Sequence, residues 1–95
     1  MEVQMYVILI YDIVADENGA RVSRWVFKTA KKYLFHIQNS VFEGEIDEAR
    51  LIKLRRELVA RLRKTDSCII FKSRSKKWLD KEFLTDIEDK TTNIL

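Results

Sequence analysis

The chain has 95 residues, 46% of them hydrophobic, which is too apolar for a disordered protein and enough for one domain with a small core. It has one cysteine and one histidine, which excludes an intrachain disulfide framework and argues against a zinc cluster, and no stretch reaches the length of a membrane span. The net charge of +3 conceals a basic body, because residues 21–77 carry 16 Lys and Arg against 6 acids while both ends are acidic.

The first predicted element is a strand over Met5–Asp12, MYVILIYD, after a loose extension at residues 1–4. Its aliphatic run lies between two tyrosines and has strand length, so we expect both faces to be buried at the centre of a sheet. The strand ends on Asp12, and a charge in that position often carries chemistry. The alternative is a carboxylate that only accepts hydrogen bonds from a nearby loop or helix end.

Residues 13–19 are predicted to form a loop, with Asn18 or Asp16 as the N-cap of a helix over Ala20–Leu34. A row of bases lies opposite the apolar stripe of this helix and can follow a phosphate backbone. For this helix taken alone, bases that merely solvate an exposed face are the preferred explanation. The apolar stripe is Val22, Val26, Thr29, Ala30 and Tyr33, widened by Trp25 and Leu34, and the bases are Arg21, Arg24, Lys28, Lys31 and Lys32.

Residues 36–46 favour extended structure, and the polar run at 38–40 predicts a bend that splits them into two short strands. Gly44 indicates a bulge or a close backbone approach. Asp47 is a good N-cap for a second helix over Glu48–Arg63. The predicted core stripe of this helix is Leu51, Leu54, Leu58 and Leu62, helped by Ile52 and Val59.

The run SCIIFK at Ser67–Lys72 predicts a last core strand, in which Cys68 is a small buried hydrophobe. A basic loop follows at Ser73–Lys77. Residues 78–95 contain too many apolar side chains for a free tail. We expect them to add an edge strand or to contact a partner chain.

The order of these elements predicts one α+β domain over residues 1–95 with the ferredoxin-like βαββαβ pattern and a C-terminal edge segment. Two helices would cover one face of a small antiparallel sheet. The other face also carries apolar side chains, and a chain of this length cannot cover both faces alone. We therefore expect it to form a homodimer through that face, or to dock its own tail there.

The sequence has no phosphate-binding glycine loop and none of the common zinc or nucleophile motifs. A thiol nucleophile with Cys68 and His36 is formally available, but Cys68 lies inside an apolar strand, which argues against it. Asp12 remains. One carboxylate makes a poor Mg²⁺ site, whereas a two-fold dimer could bring two Asp12 side chains to face each other around a cation.

Three stretches at related spacing resemble the Cas2 family of small CRISPR-associated proteins. They are YVILIYDI at 6–13 followed by Arg21-Val22, then IQNSVFEGEI at 37–46, and the tail SCIIFKSRSKKWLDKEFL at 67–84. The resemblance implies a ferredoxin-like homodimer in which the residue matching Asp12 binds the metal and is catalytic.

The resemblance also assigns neighbours to Asp12 and shows two departures from the family pattern. Tyr11, Arg21, Ser40 and Phe42 match motif positions near the site. His36 stands where the family usually has Arg, and Gly19 stands where some members have another base. Both changes remove positive charge beside the site, although a protonated His36 could still donate to phosphate.

The implied function is that of a CRISPR adaptation protein which bridges the spacer-integration complex with its integrase partner. It would also act as an endonuclease on single-stranded RNA or double-stranded DNA, dependent on Mg²⁺ or another divalent cation. The alternatives are a DNA-bridging scaffold without catalysis, a toxin-like RNA-cleaving relative, or an RNA-recognition module that stacks bases on sheet aromatics. The bases expected to bind nucleic acid are Arg24, Lys28, Arg55, Arg56, Arg74, Lys76 and Lys77.

The location of the protein is predicted from two features of the sequence. Residues 1–4 contain no basic leader region, and the single cysteine fits a reducing environment. We therefore expect a cytoplasmic protein with no membrane association.

Overall fold

The computed structural model describes residues 4–87, and its elements follow one another in the predicted order. The four strands form one antiparallel sheet in the order β2-β3-β1-β4, which confirms the ferredoxin-like α+β fold with β1 at its centre. The elements are β1 Gln4–Asp12, α1 Gly19–Lys31, β2 Phe35–Gln38, β3 Val41–Asp47, α2 Glu48–Val59 and β4 Ser67–Ser73, followed by a 3₁₀ turn at Lys76–Trp78.

Both helices pack on one face of the sheet, which we call the closed face. Leu9 of β1 lies at its centre, opposite Phe42 of β3 on one side and Ile70 of β4 on the other. Leu9, Phe42 and Leu54 of α2 have no exposed area. Burial of side chains of this size stabilises the fold by about 1.5–3 kcal/mol each, so this face holds most of the core.

The opposite face, which we call the open face, exposes apolar side chains. Ile10, Ile69 and Phe71 are 38%, 47% and 54% exposed. Ile10 lies opposite Ile69 on one side and Val41 on the other, so the apolar side chains of three strands adjoin. The prediction that both faces of β1 are buried is therefore wrong at Ile10, because both helices lie on the other face, although Tyr6 on the open face is only 3% exposed.

β4 is a half-exposed edge strand of the described sheet rather than a core strand. Its residues alternate between the two faces, and Cys68 is half-buried against the closed-face core. Burial raises the pKa of the Cys68 thiol, which keeps it protonated near neutral pH. The thiol is therefore a poor nucleophile, as the sequence indicated.

The segment after β4 reaches the open face through Lys81. Its Nζ donates to Glu43 Oε1 at 2.7 Å, and the Tyr6 hydroxyl donates to Glu43 Oε2 at 2.8 Å. Residues 79–87 form no strand within this single chain. The predicted loose extension at 1–3 and the rest of the tail at 88–95 lie outside the described residues, so pairing of the tail with a partner stays a prediction.

Several predicted boundaries and core positions differ from the structure. Gln4 is the first residue of β1 rather than part of a loose extension. α1 ends at Lys31 rather than Leu34, and α2 ends at Val59 rather than Arg63, because the chain turns back towards the sheet. The predicted core residues Ile52 and Val59 are 40% and 66% exposed, since α2 faces the sheet only through Leu51, Leu54 and Leu58.

Local signals at the turns and at the start of α2 are confirmed, whereas the predicted cap Asn18 makes no side-chain hydrogen bond at the start of α1. Asp47 caps α2, because its Oδ1 accepts a hydrogen bond from the backbone N of Arg50 at 2.8 Å. A Cβ on Gly44 would lie 3.3 Å from the Phe35 ring, which is the close approach that the glycine predicted. The bend between β2 and β3 places Asn39 at φ 38°, a left-handed conformation that asparagine tolerates. None of the helices within residues 4–87 has the length and apolar character to cross a bilayer.

Candidate active site at the end of the central strand

Asp12 is the last residue of β1 and lies opposite Ser67, the first residue of β4. Its side chain is exposed. Among residues 4–87 no hydrogen bond or ion pair engages its carboxylate. The alternative that Asp12 is a structural carboxylate satisfied by a nearby loop is therefore wrong, and the group is available to a ligand.

Asp12 lines a shallow depression of about 450 Å³ at this end of the sheet. Ser40, from the bend after β2, and Ser23, from α1, line the same depression. Ser40 is held there because its carbonyl accepts a hydrogen bond from the backbone N of Tyr11 at 3.2 Å. The depression thus combines a carboxylate, which can hold a hydrated cation, with two serine residues whose hydroxyls can donate to a phosphate.

An aromatic cluster supports the floor of this depression. Phe42 is fully buried and stacks on Tyr11 with ring centroids 6.2 Å apart, while Phe27 meets Phe42 edge-on at 5.3 Å. Phe42 can therefore support the site but cannot touch a ligand. Burial, with the Cys68 thiol nearby, raises the pKa of Tyr11, so its hydroxyl stays protonated near neutral pH and can donate a hydrogen bond.

The two charged neighbours expected beside Asp12 do not line the depression. Arg21 is exposed on the first turn of α1. His36 Nε2 donates to the Asn39 carbonyl at 2.8 Å, and its ring packs 4.9 Å from that of Phe42. His36 therefore stabilises the bend between β2 and β3 through Nε2, and only its other ring nitrogen, Nδ1, is left to donate to a phosphate when the ring is protonated.

The residues present fit a divalent cation only weakly in a single chain. Residues 4–87 contain no group of three or more His, Cys, Asp or Glu side chains placed to hold a metal ion. Asp16 also lines the depression, but its carboxylate is paired with Arg63. Mg²⁺ accepts one or two carboxylates when waters and phosphate complete its shell, so Asp12 could hold it best with a second copy of the chain.

Arg63 is the charged residue that the sequence reading missed, because Asp16 lies 47 positions away along the chain. Its guanidinium binds Asp16, Asp66 and the carbonyl of Val14 at distances of 2.6–3.1 Å. The hydrogen bonds from Arg63 lower the pKa of both carboxyls, so both remain ionised well into acid. The only signal in the sequence is that Asp66 is an isolated acid in a basic stretch.

The predicted nucleic-acid-binding residues fall into two groups. Arg24, Lys28, Arg55 and Arg56 are exposed on the two helices, and we call this surface the basic helix layer. Arg74, Lys76 and Lys77 follow β4, whose last residue lies opposite Tyr6 near the start of β1. The second group therefore lies at the other end of the sheet from Asp12, about 20 Å away at 3.3 Å per strand residue.

The fold and the site together define a class: a small ferredoxin-like α+β protein with a basic helix layer and an unengaged carboxylate at the end of its central strand. The sequence model of the family described as CRISPR associated protein Cas2 matches residues 5–81. The chain therefore belongs to the CRISPR-associated Cas2 family, as the resemblance of its motifs indicated.

Curated relatives are similar over nearly their whole length. A protein of Fusobacterium nucleatum named CRISPR-associated endoribonuclease Cas2 is 50% identical over 93 residues, which cover 97% of this chain and 88% of that protein. A protein of Moorella thermoacetica named CRISPR-associated endoribonuclease Cas2 2 is 44% identical over 90 residues, which cover 93% of this chain and 99% of that protein.

Solved structures agree with the fold. A structure titled "Crystal structure of cas2" matches with a TM-score of 0.74 and 39% identity, over 92% of this chain and 91% of that one. The structure of Streptococcus pyogenes Cas2 at pH 6.5 matches with a TM-score of 0.65 and 29% identity, over 70% of this chain and 82% of that one.

Proposed function

We propose that this protein is an endoribonuclease of a CRISPR system, and that two copies joined through their open faces form the active enzyme. The observation that carries the proposal is the exposed, unengaged carboxylate of Asp12, in a chain whose curated relatives are named endoribonucleases. Other nearby carboxylates are occupied, because Asp16 and Asp66 bind Arg63. Asp12 is therefore the acid best placed to serve the chemistry.

The open face supports the homodimer. Ile10, Ile69 and Phe71 adjoin on this face and are each at least 38% exposed, which exposes apolar area that a second copy would remove from water. A two-fold axis places the same patch on both partners, so the surface must be complementary to itself. Ile10 lies two residues before Asp12 and points to the same face, so joining the patches would bring the two acids towards the shared axis.

We also propose that cleavage depends on a divalent cation, either Mg²⁺ or another ion of the same charge. When bound, the cation would neutralise phosphate charge and lower the pKa of a coordinated water. The chain itself supplies Asp12 to hold the cation, and the hydroxyls of Ser23 and Ser40 to donate to phosphate oxygens. Tyr11 also lines this depression, and its hydroxyl stays protonated near neutral pH.

The test is cleavage of single-stranded RNA by the variant Asp12→Asn. We expect cleavage to fall at least about a hundredfold, because the variant loses the one carboxylate of the described depression that is not already paired. Glu17→Gln is the matched control, since Glu17 is an exposed acid of the adjacent loop that does not line the depression. Cleavage by Asp12→Asn at the wild-type rate, still abolished by a chelator, would contradict the assignment.

A second function is favoured by the basic helix layer. We propose that this layer binds double-stranded DNA and that the dimer bridges the spacer-integration complex with its integrase partner. Two of the four exposed bases that define the layer, Arg55 and Arg56, belong to α2 and do not line the Asp12 depression, so their binding of DNA should not depend on Asp12. The integrase partner and a cytoplasmic location rest on the resemblance and on the unpaired Cys68.

Salt dependence of duplex binding tests this second function. Each phosphate contact removed should lower the slope of log affinity against log salt by about 0.9. We expect the double variant Arg55→Gln/Arg56→Gln to reduce both affinity and slope, and Asp12→Asn to change neither. Equal affinity of the wild-type protein at low and high salt would contradict DNA binding through these bases.

A further inference from the structure

The loop that follows Asp12 is anchored by side chains rather than by the sheet. The ladder between β1 and β4 ends at the pair Asp12 and Ser67. Two residues further on, the backbone N of Val14 donates to Oδ1 of Asp66 at 2.9 Å. Because Asp66 immediately precedes β4, its side chain continues the ladder where the backbone pairing stops, and this side chain has no exposed area.

Arg63 completes the anchor. Its Nη2 donates to the carbonyl of Val14 at 3.1 Å, so both backbone groups of Val14 are held. Its Nη1 donates to the two carboxylate oxygens of Asp16 at 2.6 and 2.9 Å. Its Nε and Nη2 bind the two oxygens of Asp66 at 2.9 and 3.0 Å. One guanidinium thus joins three points, and the planar fork of arginine suits this task better than the single ammonium of lysine.

The loop is also closed against itself. Asp16 Oδ1 accepts from the backbone N of Asn18, and the Asp16 carbonyl accepts from the backbone N of Gly19, both at 3.0 Å. A Cβ on Gly19 would lie 2.2 Å from the carbonyl oxygen of Val14, so only glycine fits at the start of α1. The residues that Arg63 holds are therefore tightly connected to the first turn of α1.

We propose that Arg63 is a positioning residue, which fixes the loop over residues 13–19 and thereby the direction of the Asp12 carboxylate. Asp12 lies between two fixed points of the backbone. On one side the backbone N of Tyr11 is hydrogen-bonded to Ser40. On the other side the backbone of Val14 is hydrogen-bonded to Asp66 and Arg63. Val14 and Asp16 line the same depression as Asp12. The effect on catalysis rests on the proposed function, whereas the effect on the loop does not.

The chain supplies a matched control in a second ion-pair network. Glu57 accepts hydrogen bonds from Lys32 and from the Tyr33 hydroxyl, and its carbonyl accepts from the Trp25 indole. This network joins α1 and its following turn to α2, and none of its residues lines the depression. Glu57→Gln therefore removes a comparable ion pair without touching the loop.

The experiment compares Asp16→Asn, Arg63→Lys and Glu57→Gln in the full chain by two measurements. The first is hydrogen exchange at the backbone amides of residues 13–19, followed by NMR. We expect Asp16→Asn and Arg63→Lys to speed exchange of this loop at least about tenfold, and Glu57→Gln to leave it unchanged. Arg63→Lys keeps the charge, so its effect separates the geometry of the fork from simple electrostatics.

The second measurement is the rate of RNA cleavage, split into kcat and KM. We expect Asp16→Asn and Arg63→Lys to lower kcat between about tenfold and a hundredfold with KM unchanged, because Asp12 would be misplaced rather than lost. A loss of thermal stability alone would appear equally in Glu57→Gln, which should keep the wild-type kcat.

Two results would overturn the assignment of Arg63. One is unchanged exchange of the loop in both variants, and the other is a loop that becomes mobile while kcat stays at the wild-type value. If the protein is not a nuclease at all, the result is different, because the wild-type protein itself does not cleave RNA. In that case the exchange measurement alone decides whether Arg63 fixes the loop.

Discussion

The two faces of the sheet differ in how far a single chain completes them. On the closed face two helices bury Leu9 and Phe42 fully. On the open face Ile69 and Phe71 remain about half exposed, and Lys81 of the described tail binds Glu43 of β3. The same β1 strand serves both faces, so the difference lies in what covers it. The closed face forms the folded core, and the open face is the surface through which we propose that two copies associate.

The largest effect is expected from removing an aromatic ring on each face in turn. Phe42→Ala should lower the free energy of unfolding by about 3–5 kcal/mol, because it leaves a cavity in the closed-face core. Phe71→Ala should change it by only about 0.5 kcal/mol at concentrations where the chain is monomeric. Urea unfolding followed by circular dichroism measures both values. Equal losses would show that the two faces are equally part of the core.

A charge on the open face should act on association rather than folding. Ile69→Lys should weaken dimerisation at least about tenfold, since it buries an unpaired ammonium at the interface. Val59→Lys is the control, because Val59 is 66% exposed on α2, away from the open face. Sedimentation equilibrium measures the dimer constant. An unchanged constant for Ile69→Lys would place the interface elsewhere.

The caps of the two helices that cover the closed face provide a smaller effect. Asp47→Ala should lower the free energy of unfolding by about 1 kcal/mol, because its side chain bonds the first turn of α2. Asn18→Ala should have almost no effect, since the Asn18 side chain makes no capping hydrogen bond at α1. Urea unfolding at neutral pH measures both. A larger loss for Asn18 would contradict the assignment of the caps.

The smallest effect is a change in stability that appears only at acidic pH. It concerns Asp66, which helps Arg63 to hold the loop over residues 13–19. The pKa of Asp66 is lowered by its hydrogen bonds from Arg63, so the stabilisation by its carboxylate is complete above the ordinary aspartate pKa of 3.8. It is lost as the pH falls through the lowered value in the folded protein. The difference in unfolding free energy between wild type and Asp66→Asn should therefore be constant from neutral pH to about 4 and shrink below that. A difference that grows in acid would contradict this.

How much the sequence could predict depends on the range of the interaction. The aliphatic run of β1, the apolar stripe of α2 and the Asp47 cap are local patterns, and they predicted the order of the elements correctly. Exposure of Ile52 and Val59 was missed, because an apolar residue beside a helical stripe does not reveal how wide the covering surface is. The role of Arg63 was missed because it joins loops that only the fold brings together.

The candidate site divides in the same way. Asp12 was predicted as a site residue because a charge at the end of an apolar strand is a local signal, and the structure leaves its side chain exposed. The positions of Arg21 and His36 were expected beside it, but the structure directs His36 to the Asn39 carbonyl and leaves Arg21 outside the depression. The direction of a side chain at a bend or at the start of a helix depends on residues that are distant along the chain and become neighbours only in the fold.

The proposal that two Asp12 side chains serve one site can be tested by mixing subunits. Wild-type protein and Asp12→Asn are combined in equal amounts, unfolded together and refolded so that dimers form at random, and RNA cleavage is measured at saturating substrate. If each site needs both carboxylates, activity should be about one quarter of that of the same total amount of wild-type protein, because only the dimers with two wild-type chains cleave. Activity of about one half would show that each Asp12 works alone, and would contradict a shared site on the dimer axis.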